Sequence, residues 1–188
     1  MIEYKKYRWF FTKADKLIIG GKSASQNDEL LSQLKQQSND YIILHTTAPG
    51  SPFAIILADP RSIIDDDKEE AAIFTACFSQ AWKQKKSPVS IDLFLLSQLS
   101  KPTKLKEGTW MVHGSKAQLQ VPLELALTTQ KEVLRAVPLK TLGRKKPLAL
   151  LKPGTTEKKQ LIAKLHKLLK LPLLELESAL PAGLSQLL

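Results

Sequence analysis

The segment AAIFTACFSQAW, residues 71–82, constrains the fold of this chain more than any other feature. Its apolar residues lie nearly all round a helical projection, which is typical of a helix that is buried on every side. Acidic residues at 65–70 precede it and three lysines follow it, an order of charges that complements a helix dipole. We therefore predict a central buried helix near residues 67–85, covered by the other elements.

Short runs rich in β-branched and aromatic residues supply the elements that would cover this helix. YRWFF and KLIIG, separated by a polar turn at residues 12–15, predict a hairpin. YIILH and FAIIL flank a Pro-Gly turn, and SIDLFLL, TWMVHG and AQLQVPL follow Pro88, with weaker strand candidates near Leu125 and Val133. Short connections favour antiparallel pairs, so the predicted fold class is α+β, with a mostly antiparallel sheet packed on the central helix.

Two more segments predict helices. Ser25 stands three residues before Asp28, as in a capping box, and predicts a helix that runs to about Ser38. Near the other end, TTEKKQLIAKLHKLLK predicts a C-terminal amphipathic helix. Its inward-facing residues are predicted to be Leu161, Leu165, Leu168 and Leu169. Pro153-Gly154 is expected to break the strand region that precedes this helix.

Charge is distributed unevenly along the chain, whose net charge is +10. Residues 1–100 hold 12 basic and 12 acidic side chains, whereas residues 101–188 hold 16 and 6. A basic half beside a neutral half favours a polyanion, and nucleic acid above all, as the partner.

The composition argues against several other classes of protein. No stretch approaches the ~18 apolar residues that span a bilayer, so no membrane association is expected. The opening MIEYKKYRWFF lacks the three parts of a secretory signal, and the single cysteine, Cys77, allows no internal disulfide. We therefore expect a cytoplasmic protein. We expect no cofactor, and no metal site either because histidine and cysteine are not closely spaced.

The segment GGKSASQN joins a predicted strand to a predicted helix. Gly20 and Gly21 permit a tight turn, and the helix start offers free backbone N–H groups to a phosphate, with Lys22 adding charge. A simple tight turn is the alternative, since the spacing matches no known phosphate-binding loop.

Other candidate ligand residues lie in three more segments. Tyr7 and Trp9 share one face of a predicted strand, where they either stack on bases or, in the interpretation we favour, belong to the core. Arg8 lies on the opposite face and is therefore the better candidate for a phosphate contact. His45 ends a predicted strand before the Pro-Gly turn, where it can donate a hydrogen bond or simply pin the loop. Lys101, Lys104 and Lys106 lie in a loop that is either a phosphate contact or merely solvated.

Taken together, RWFF, IIGGKSASQN, DYIILHTTAPGSPF, EEAAIFTACFSQAWK, SQLSK and GTWMVHG resemble the NFACT RNA-binding domain (NFACT-R) family over residues 4–127. The tail, with LLKPGTTEKK and ALPAGL, resembles the extension of small stand-alone members. The resemblance implies an RNA-binding core at residues 1–128 and a basic C-terminal extension at 129–188, packed on or beside it. It implies no catalytic activity.

In its large members, this family's domain belongs to ribosome quality-control factors that bind the large ribosomal subunit and recruit tRNA. The resemblance therefore implies RNA as the partner, either tRNA or ribosomal RNA, with the large ribosomal subunit as a further expected partner. The chain is too short for the other domains of those members, so only RNA binding carries over. Thr46-Thr47 stand where larger members often have an acidic residue, a difference expected to alter ligand preference.

The residues together with the resemblance predict one RNA-binding surface. Its predicted members are Arg8, Lys22, Gln26, Asn27, His45, Ser51, Ser79, Lys83, Lys101, Lys104 and Lys106. Six of them, from five sequence segments, are expected to converge: Lys22, Asn27, His45, Ser51, Lys83 and Lys101.

Two other functions remain open from the residues alone. One is a nucleic-acid-processing enzyme, with His45 and acids near Asp65 or Asp92 in a pocket. The other is a protein-interaction module whose basic face meets an acidic partner.

Overall fold

The computed structural model describes residues 2–188 and contains two antiparallel sheets, a two-stranded ribbon and five α-helices. The helices are α1 Ala24–Lys35, α2 Asp65–Cys77, α3 Gln80–Gln84, α4 Lys158–Leu169 and α5 Leu173–Ala179. The strands are β1 Arg8–Phe11, β2 Leu17–Gly20, β3 Ile42–Thr46, β4 Ala54–Ile56, β5 Val89–Leu95, β6 Leu99–Ser100, β7 Met111–Val112, β8 Ala117–Val121, β9 Leu125–Gln130, β10 Val133–Pro138, β11 Ala149–Thr156 and β12 Ser185–Leu187.

The larger sheet has six strands in the order β1-β2-β4-β3-β5-β8, and all of its neighbouring strands are antiparallel. The hairpin that YRWFF and KLIIG predict is its β1–β2 pair. The pairing register places His45 of β3 opposite Asp92 of β5, and Arg8 of β1 opposite Gly20 of β2. This register brings residues that are far apart in sequence to one end of the sheet.

The smaller sheet has four strands in the order β10-β9-β11-β12, again all antiparallel. The predicted α+β class with antiparallel sheets is therefore confirmed. The expected break at Pro153-Gly154 is wrong, because both residues lie within β11. A register shift follows Pro153, and Gly154 lets the β12 backbone approach closely, since a Cβ there would lie 2.5 Å from Gln186 Cβ.

Two apolar clusters cover the two faces of the larger sheet. One joins α1 to one face and contains Tyr7 and Trp9, so the interpretation of these aromatics as core is confirmed. The other joins α2 to the opposite face and extends without interruption into the smaller sheet and α4. We predict that the RNA-binding core ends at residue 128, but strand β9 continues across that position. The division into a core and a C-terminal extension stays a prediction.

Helix α2 lies between the sheets, in contact with β3, β4, β5 and β8 of the larger one and with β10 of the smaller. The predicted single helix at 67–85 is two helices, α2 and α3. The chain turns at Phe78, which caps α2, and the Ser79 hydroxyl accepts a hydrogen bond from Ala81 N at 3.0 Å to start α3. The cap of α3 explains the break, because a serine hydroxyl satisfies an N–H that the new helix leaves unpaired.

The amphipathic C-terminal helix is confirmed as α4, which buries Leu161 and Leu165. Its predicted inward face is wrong at Leu168, which is 63% exposed, whereas Ile162 is buried. Within residues 2–188, every helix is too short or too polar to cross a bilayer.

Two carboxylates of α2 are almost completely buried where the β1–β2 turn meets the smaller sheet. Asp67 accepts a hydrogen bond from Thr12 Oγ1 at 2.5 Å. Glu70 Oε2 accepts bonds from Thr141 Oγ1 at 2.7 Å and from Lys13 N at 3.0 Å. Burial raises the pKa of Glu70, and the hydrogen bonds from Thr141 and Lys13 only partly offset that effect.

We expect Glu70→Gln to raise the free energy of unfolding near neutral pH. A raised pKa means that the fold favours the protonated carboxyl. Its contribution to stability is therefore complete in acid and is lost as the pH rises through the raised pKa. Glutamine keeps the accepting oxygen and carries no charge at any pH. Urea unfolding at about pH 4 and about pH 7 should show the two proteins converging in acid and the variant ahead at neutral pH. A variant that is less stable than the wild type at both pH values would contradict this expectation.

Candidate nucleic-acid interface

An open cleft of about 650 Å³ lies at the end of the larger sheet where β2 leads into α1. Its walls come from four segments: the β2–α1 junction, the end of β3 with the loop that follows it (residues 45–53), the start of α3, and residues 107–110. Of the predicted surface residues, the following line it: Arg8, Lys22, Asn27, His45, Ser51, Ser79 and Lys83. Gln26, Lys101, Lys104 and Lys106 do not line it. Five of the six residues expected to converge therefore do so.

The β2–α1 junction is built on a glycine and a serine cap. A Cβ on Gly21 would lie 2.3 Å from the Asn27 side-chain oxygen, so only glycine fits without displacing Asn27. Ser23, and not Ser25, caps α1, because its hydroxyl accepts from Gln26 N at 3.2 Å. The Gln26 side chain in turn accepts from Lys22 N at 2.9 Å, which engages its oxygen in holding the helix start.

Asn27 is only 7% exposed, and its side-chain oxygen accepts a weak hydrogen bond from Phe53 N at 3.3 Å. It ties α1 to the residues that lead into β4. The contact gives Asn27 a structural role at the base of the cleft, and its predicted role in binding RNA stays a prediction.

His45 is half-buried, with its ring stacked on Phe53 at 4.5 Å between centroids. Its Nδ1 lies 2.7 Å from the Thr46 carbonyl oxygen, which can only accept, so Nδ1 carries the proton. Burial lowers the pKa of His45, and the Thr46 carbonyl and the charge of Asp92 only partly counter this. The imidazole is therefore neutral near pH 7, and its Nε2 presents a lone pair that accepts a donor such as a hydroxyl or an amino group.

Two serines of the cleft hold its walls in place. The Ser51 hydroxyl accepts from Thr46 N and donates to the Pro52 carbonyl, both at 3.0 Å. The Ser79 hydroxyl caps α3 and donates to the Ala76 carbonyl at 2.7 Å. Next to them, Gly50 has a φ of +103°, and its carbonyl accepts from Gln80 N at 2.9 Å. A rigid wall results, because each of these loop groups has a partner.

Three cations line the cleft with no carboxylate within 4.0 Å of them among residues 2–188: Arg8, Lys22 and Lys83. Arg8 lies with its guanidinium carbon 4.6 Å from the centre of the Phe78 ring. Burial lowers the pKa of Lys22, and the neighbouring charges of Arg8 and Arg135 lower it further. Cations without an internal partner are available to an anionic ligand.

Lys101 lies outside the cleft, in contrast to the expectation that it joins the other five. Its ammonium pairs with Asp28 and lies 5.5 Å from the centre of the Trp110 ring. Asp28 also accepts from Trp110 Nε1 at 2.8 Å and from Gly108 N at 2.9 Å. Lys101 therefore neutralises the carboxylate that anchors the 107–110 wall. Lys104 and Lys106 are exposed in the loop beyond it.

Asp92 and Lys116 belong to the cleft, although we did not predict an RNA contact at either. Asp92 is 6% exposed and bonds Lys116 Nζ at 2.6 Å, Thr47 Oγ1 at 2.7 Å and Gln118 Nε2 at 3.1 Å. Burial works to raise the pKa of Asp92, but the bonds from Lys116, Thr47 and Gln118 outweigh it and leave the pKa below its usual range. A lone acid within the apolar run SIDLFLL was the sequence signal for this buried group.

His45 and the candidate acids Asp65 and Asp92 are not hydrogen-bonded to one another. The His45 proton on Nδ1 is held by the Thr46 carbonyl, and both Asp92 oxygens are engaged elsewhere. Asp65 lies outside the cleft and pairs with Lys68. Burial strongly raises the pKa of Cys77, so this thiol is not a nucleophile.

Three comparisons place this chain among known proteins. The model of the NFACT protein RNA binding domain matches residues 6–114, which is more than half of the chain. The chain is 27% identical over 177 residues to the archaeal Rqc2 homolog aRqcH of Methanocaldococcus jannaschii, covering 89% of this chain and 26% of that protein. It is 29% identical over 128 residues to the Rqc2 homolog RqcH of Streptococcus suis, covering 68% and 22%.

Among solved structures, the chain resembles the C-terminal part of the fibronectin/fibrinogen-binding protein from Streptococcus suis, with a TM-score of 0.54 and 28% identity. That match covers 62% of this chain and 44% of the solved one. The chain spans about a quarter of the length of the two curated relatives. The matched residues 6–114 contain β1 to β7 and most of the cleft wall. The chain therefore belongs to the family of the NFACT protein RNA binding domain.

Proposed function

We propose that this chain is a non-catalytic domain that binds structured RNA, either tRNA or ribosomal RNA, in the cleft. The observation that carries the proposal is the set of cleft cations Arg8, Lys22 and Lys83, none of which has an acidic partner within residues 2–188. They come from β1, the β2–α1 junction and α3, and all lie within the segment that matches the RNA-binding family. Phosphate contacts of this kind position a nucleic acid without reading its sequence.

The neutral groups of the cleft would add direction to this binding. The free Nε2 of His45 would accept from a ribose 2′-hydroxyl or a base amino group. The half-buried Trp110 ring also lines the cleft, where a base would stack on it. Ser51 and Ser79 would keep these groups in position, because their hydroxyls hold the surrounding loops.

The cellular role that we propose is ribosome-associated quality control in the cytoplasm, with the large ribosomal subunit as a further partner. Support comes from the two relatives named as Rqc2 homologs, although this chain spans only about a quarter of each. Such a role requires that this segment folds and binds RNA.

A salt titration with fluorescently labelled tRNA and with a ribosomal RNA fragment tests the binding. We expect log K to fall linearly with log salt, with about 0.7–0.9 units of slope for each neutralised phosphate and several units in total. Polyglutamate of matched charge is the control for general attraction to acids, and it should bind more weakly at the same salt. If neither RNA binds at about 0.05 M salt, or if polyglutamate binds equally well, the proposal is wrong.

A further inference from the structure

A third cation from outside the family-matched segment joins two of the cleft cations. Arg8, Lys22 and Arg135 line a recess of about 10 Å³ that adjoins the cleft, together with Trp9 and Phe78. Arg8 and Lys22 also line the cleft itself, so the recess opens on the same site. Arg135 lies on β10 of the smaller sheet, whereas Arg8 lies on β1 of the larger one and Lys22 lies in the β2–α1 junction. The packing of the two sheets is what brings the three charges together.

These three charges have no counter-charge at contact distance. Within residues 2–188, no carboxylate lies within 4.0 Å of any of them, whereas the cations Lys101 and Lys116 beside the cleft are each paired with an acid. Glu175 is the acid whose negative charge acts on Arg135. Its carboxylate accepts a hydrogen bond from Leu134 N at 3.3 Å, and it offsets the positive charge of Arg135 only from a distance. Like charges held together in a half-buried place repel one another, and an anion would relieve that repulsion.

Each of the two guanidinium groups lies over an aromatic ring. The Arg135 guanidinium carbon lies 4.1 Å from the centre of the Trp9 ring, and that of Arg8 lies 4.6 Å from the centre of the Phe78 ring. A stacked guanidinium directs its N–H groups outward from its edge, towards a planar or tetrahedral acceptor. These contacts restrict both guanidinium groups in the free protein. Binding of an anion therefore loses less side-chain entropy.

The polar side chains that line the recess are almost all donors. Arg135 Nε and Trp9 Nε1 are both buried and lack a hydrogen-bond partner among residues 2–188. Guanidinium, ammonium and indole groups donate and cannot accept. A recess of 10 Å³ holds about one water and is too small for a phosphate, so a larger anion would lie at its mouth in the cleft. An acceptor with several oxygens and negative charge fits this set of donors, as a phosphate does.

We propose that Arg8, Lys22 and Arg135 form a phosphate-binding subsite at the mouth of this recess, with Arg135 supplied by the C-terminal part of the chain. Resting on the proposed function, the inference assigns this subsite to one backbone phosphate of the bound RNA. Arg135 then serves as a ligand residue beyond residues 6–114, and the smaller sheet contributes directly to the RNA site. The signal in the sequence was one arginine within the apolar strand VLRAVP.

Inorganic pyrophosphate tests the subsite independently of RNA. Wild-type melting temperature should rise by about 3–6 °C when pyrophosphate is present at about ten times its Kd, compared with sodium chloride at equal ionic strength. Arg135→Gln should lose most of this rise. Arg144→Gln is the matched control, because Arg144 is exposed, carries the same charge and lies outside the cleft and the recess. It should keep the full rise.

The melting temperature without anion shows whether Arg135→Gln folds. If that variant fails to fold, Lys22→Gln replaces it, since Lys22 is exposed and its loss should also abolish most of the rise. The subsite is disproved if pyrophosphate does not stabilise the wild type, or if the folded cluster variant keeps the rise that Arg144→Gln shows. A wild type stabilised by pyrophosphate that does not bind RNA would refute the proposed function and leave the subsite intact.

Discussion

A variant in which glutamine replaces Arg8, Lys22 and Lys83 is expected to bind RNA about 100-fold more weakly than the wild type at about 0.1 M salt. Each phosphate contact contributes about 0.7–0.9 to the slope of log K against log salt, so the variant's slope should also be about two units flatter. The three side chains line one cleft from three different elements, and a single RNA backbone can therefore contact them together.

The matched control for this triple variant removes the same charge elsewhere. Lys145, Lys146 and Lys164 are exposed in the C-terminal half and lie outside the cleft. Their replacement by glutamine lowers the net charge by the same three units. We expect this control to retain most of the affinity, and fluorescence anisotropy at several salt concentrations measures both proteins. Equal losses in the two variants would mean that net charge, and not the cleft, governs binding.

Stability should not explain the loss in the cleft variant. The three replaced cations make no ion pair within residues 2–188. Partial desolvation lowers the pKa of Lys22, and the charges of Arg8 and Arg135 lower it further. Removing unpaired like charges relieves the repulsion between them. Binding sites commonly carry such repulsion at a cost in stability. A melting temperature close to that of the wild type is therefore expected.

Trp82→Ala is expected to cost about 3–5 kcal/mol of unfolding free energy, the largest effect on stability that we predict. Trp82 is fully buried in α3, and its Nε1 donates to the Ser185 hydroxyl of β12 at 3.1 Å. Alanine at this position leaves a cavity and also leaves the buried Ser185 without its donor. Since a domain has only about 5–15 kcal/mol of stability, the variant should unfold at a much lower urea concentration.

Two milder variants separate the cavity from the hydrogen bond. Trp82→Phe keeps most of the apolar bulk and loses the donor, whereas Ser185→Ala keeps the indole and leaves its N–H unpaired. Each is expected to cost about 1–3 kcal/mol, the usual cost of leaving one buried polar group unsatisfied. Urea unfolding of all three measures the effects. A cost below about 1 kcal/mol for Trp82→Ala would show that α3 is not held by this contact.

The Trp82–Ser185 bond also bears on how the chain is organised. It joins a residue of the family-matched segment to the final strand, and one apolar cluster contains residues from both parts. We therefore propose that the basic extension at 129–188 folds together with the core, packed on it. A single urea transition for the whole chain, shared by fluorescence and circular dichroism, is the behaviour that this proposal requires.

Local patterns predicted the elements well wherever the pattern itself carries the information. Alternating and aromatic runs predicted β1 to β5, and the 3.6-residue period of leucines predicted α4. The patterns failed where a neighbour from another element decides. β11 continues through Pro153, where its pairing with β12 shifts register. Leu168 is exposed although its neighbour Leu169 packs against the core, because the two side chains lie on different faces of α4.

The candidate site divides in the same way. Residue type and charge, together with the family resemblance, predicted that Arg8, Lys22, His45 and Lys83 could serve a polyanion, since cations and an imidazole are groups that phosphates and riboses bind. The sequence could not show that Lys101 is neutralised by Asp28, nor that the His45 proton is held by the Thr46 carbonyl. Both facts depend on contacts between side chains and backbone that only the folded chain brings within bonding distance.

The sequence by itself determined the α+β class, the main helices and strands, and the basic character that favours a nucleic acid, because periodicity, turn residues and charge are local properties of a chain. Only the tertiary structure decided that Asp92 lies opposite His45, that Ser185 meets Trp82, and that Arg135 joins Arg8 and Lys22. Arg8 and Lys22 are each separated from Arg135 by more than a hundred positions in the sequence. Strand register and the packing of two sheets set such distances, and they depend on the burial of the whole core, which no short segment of the sequence encodes.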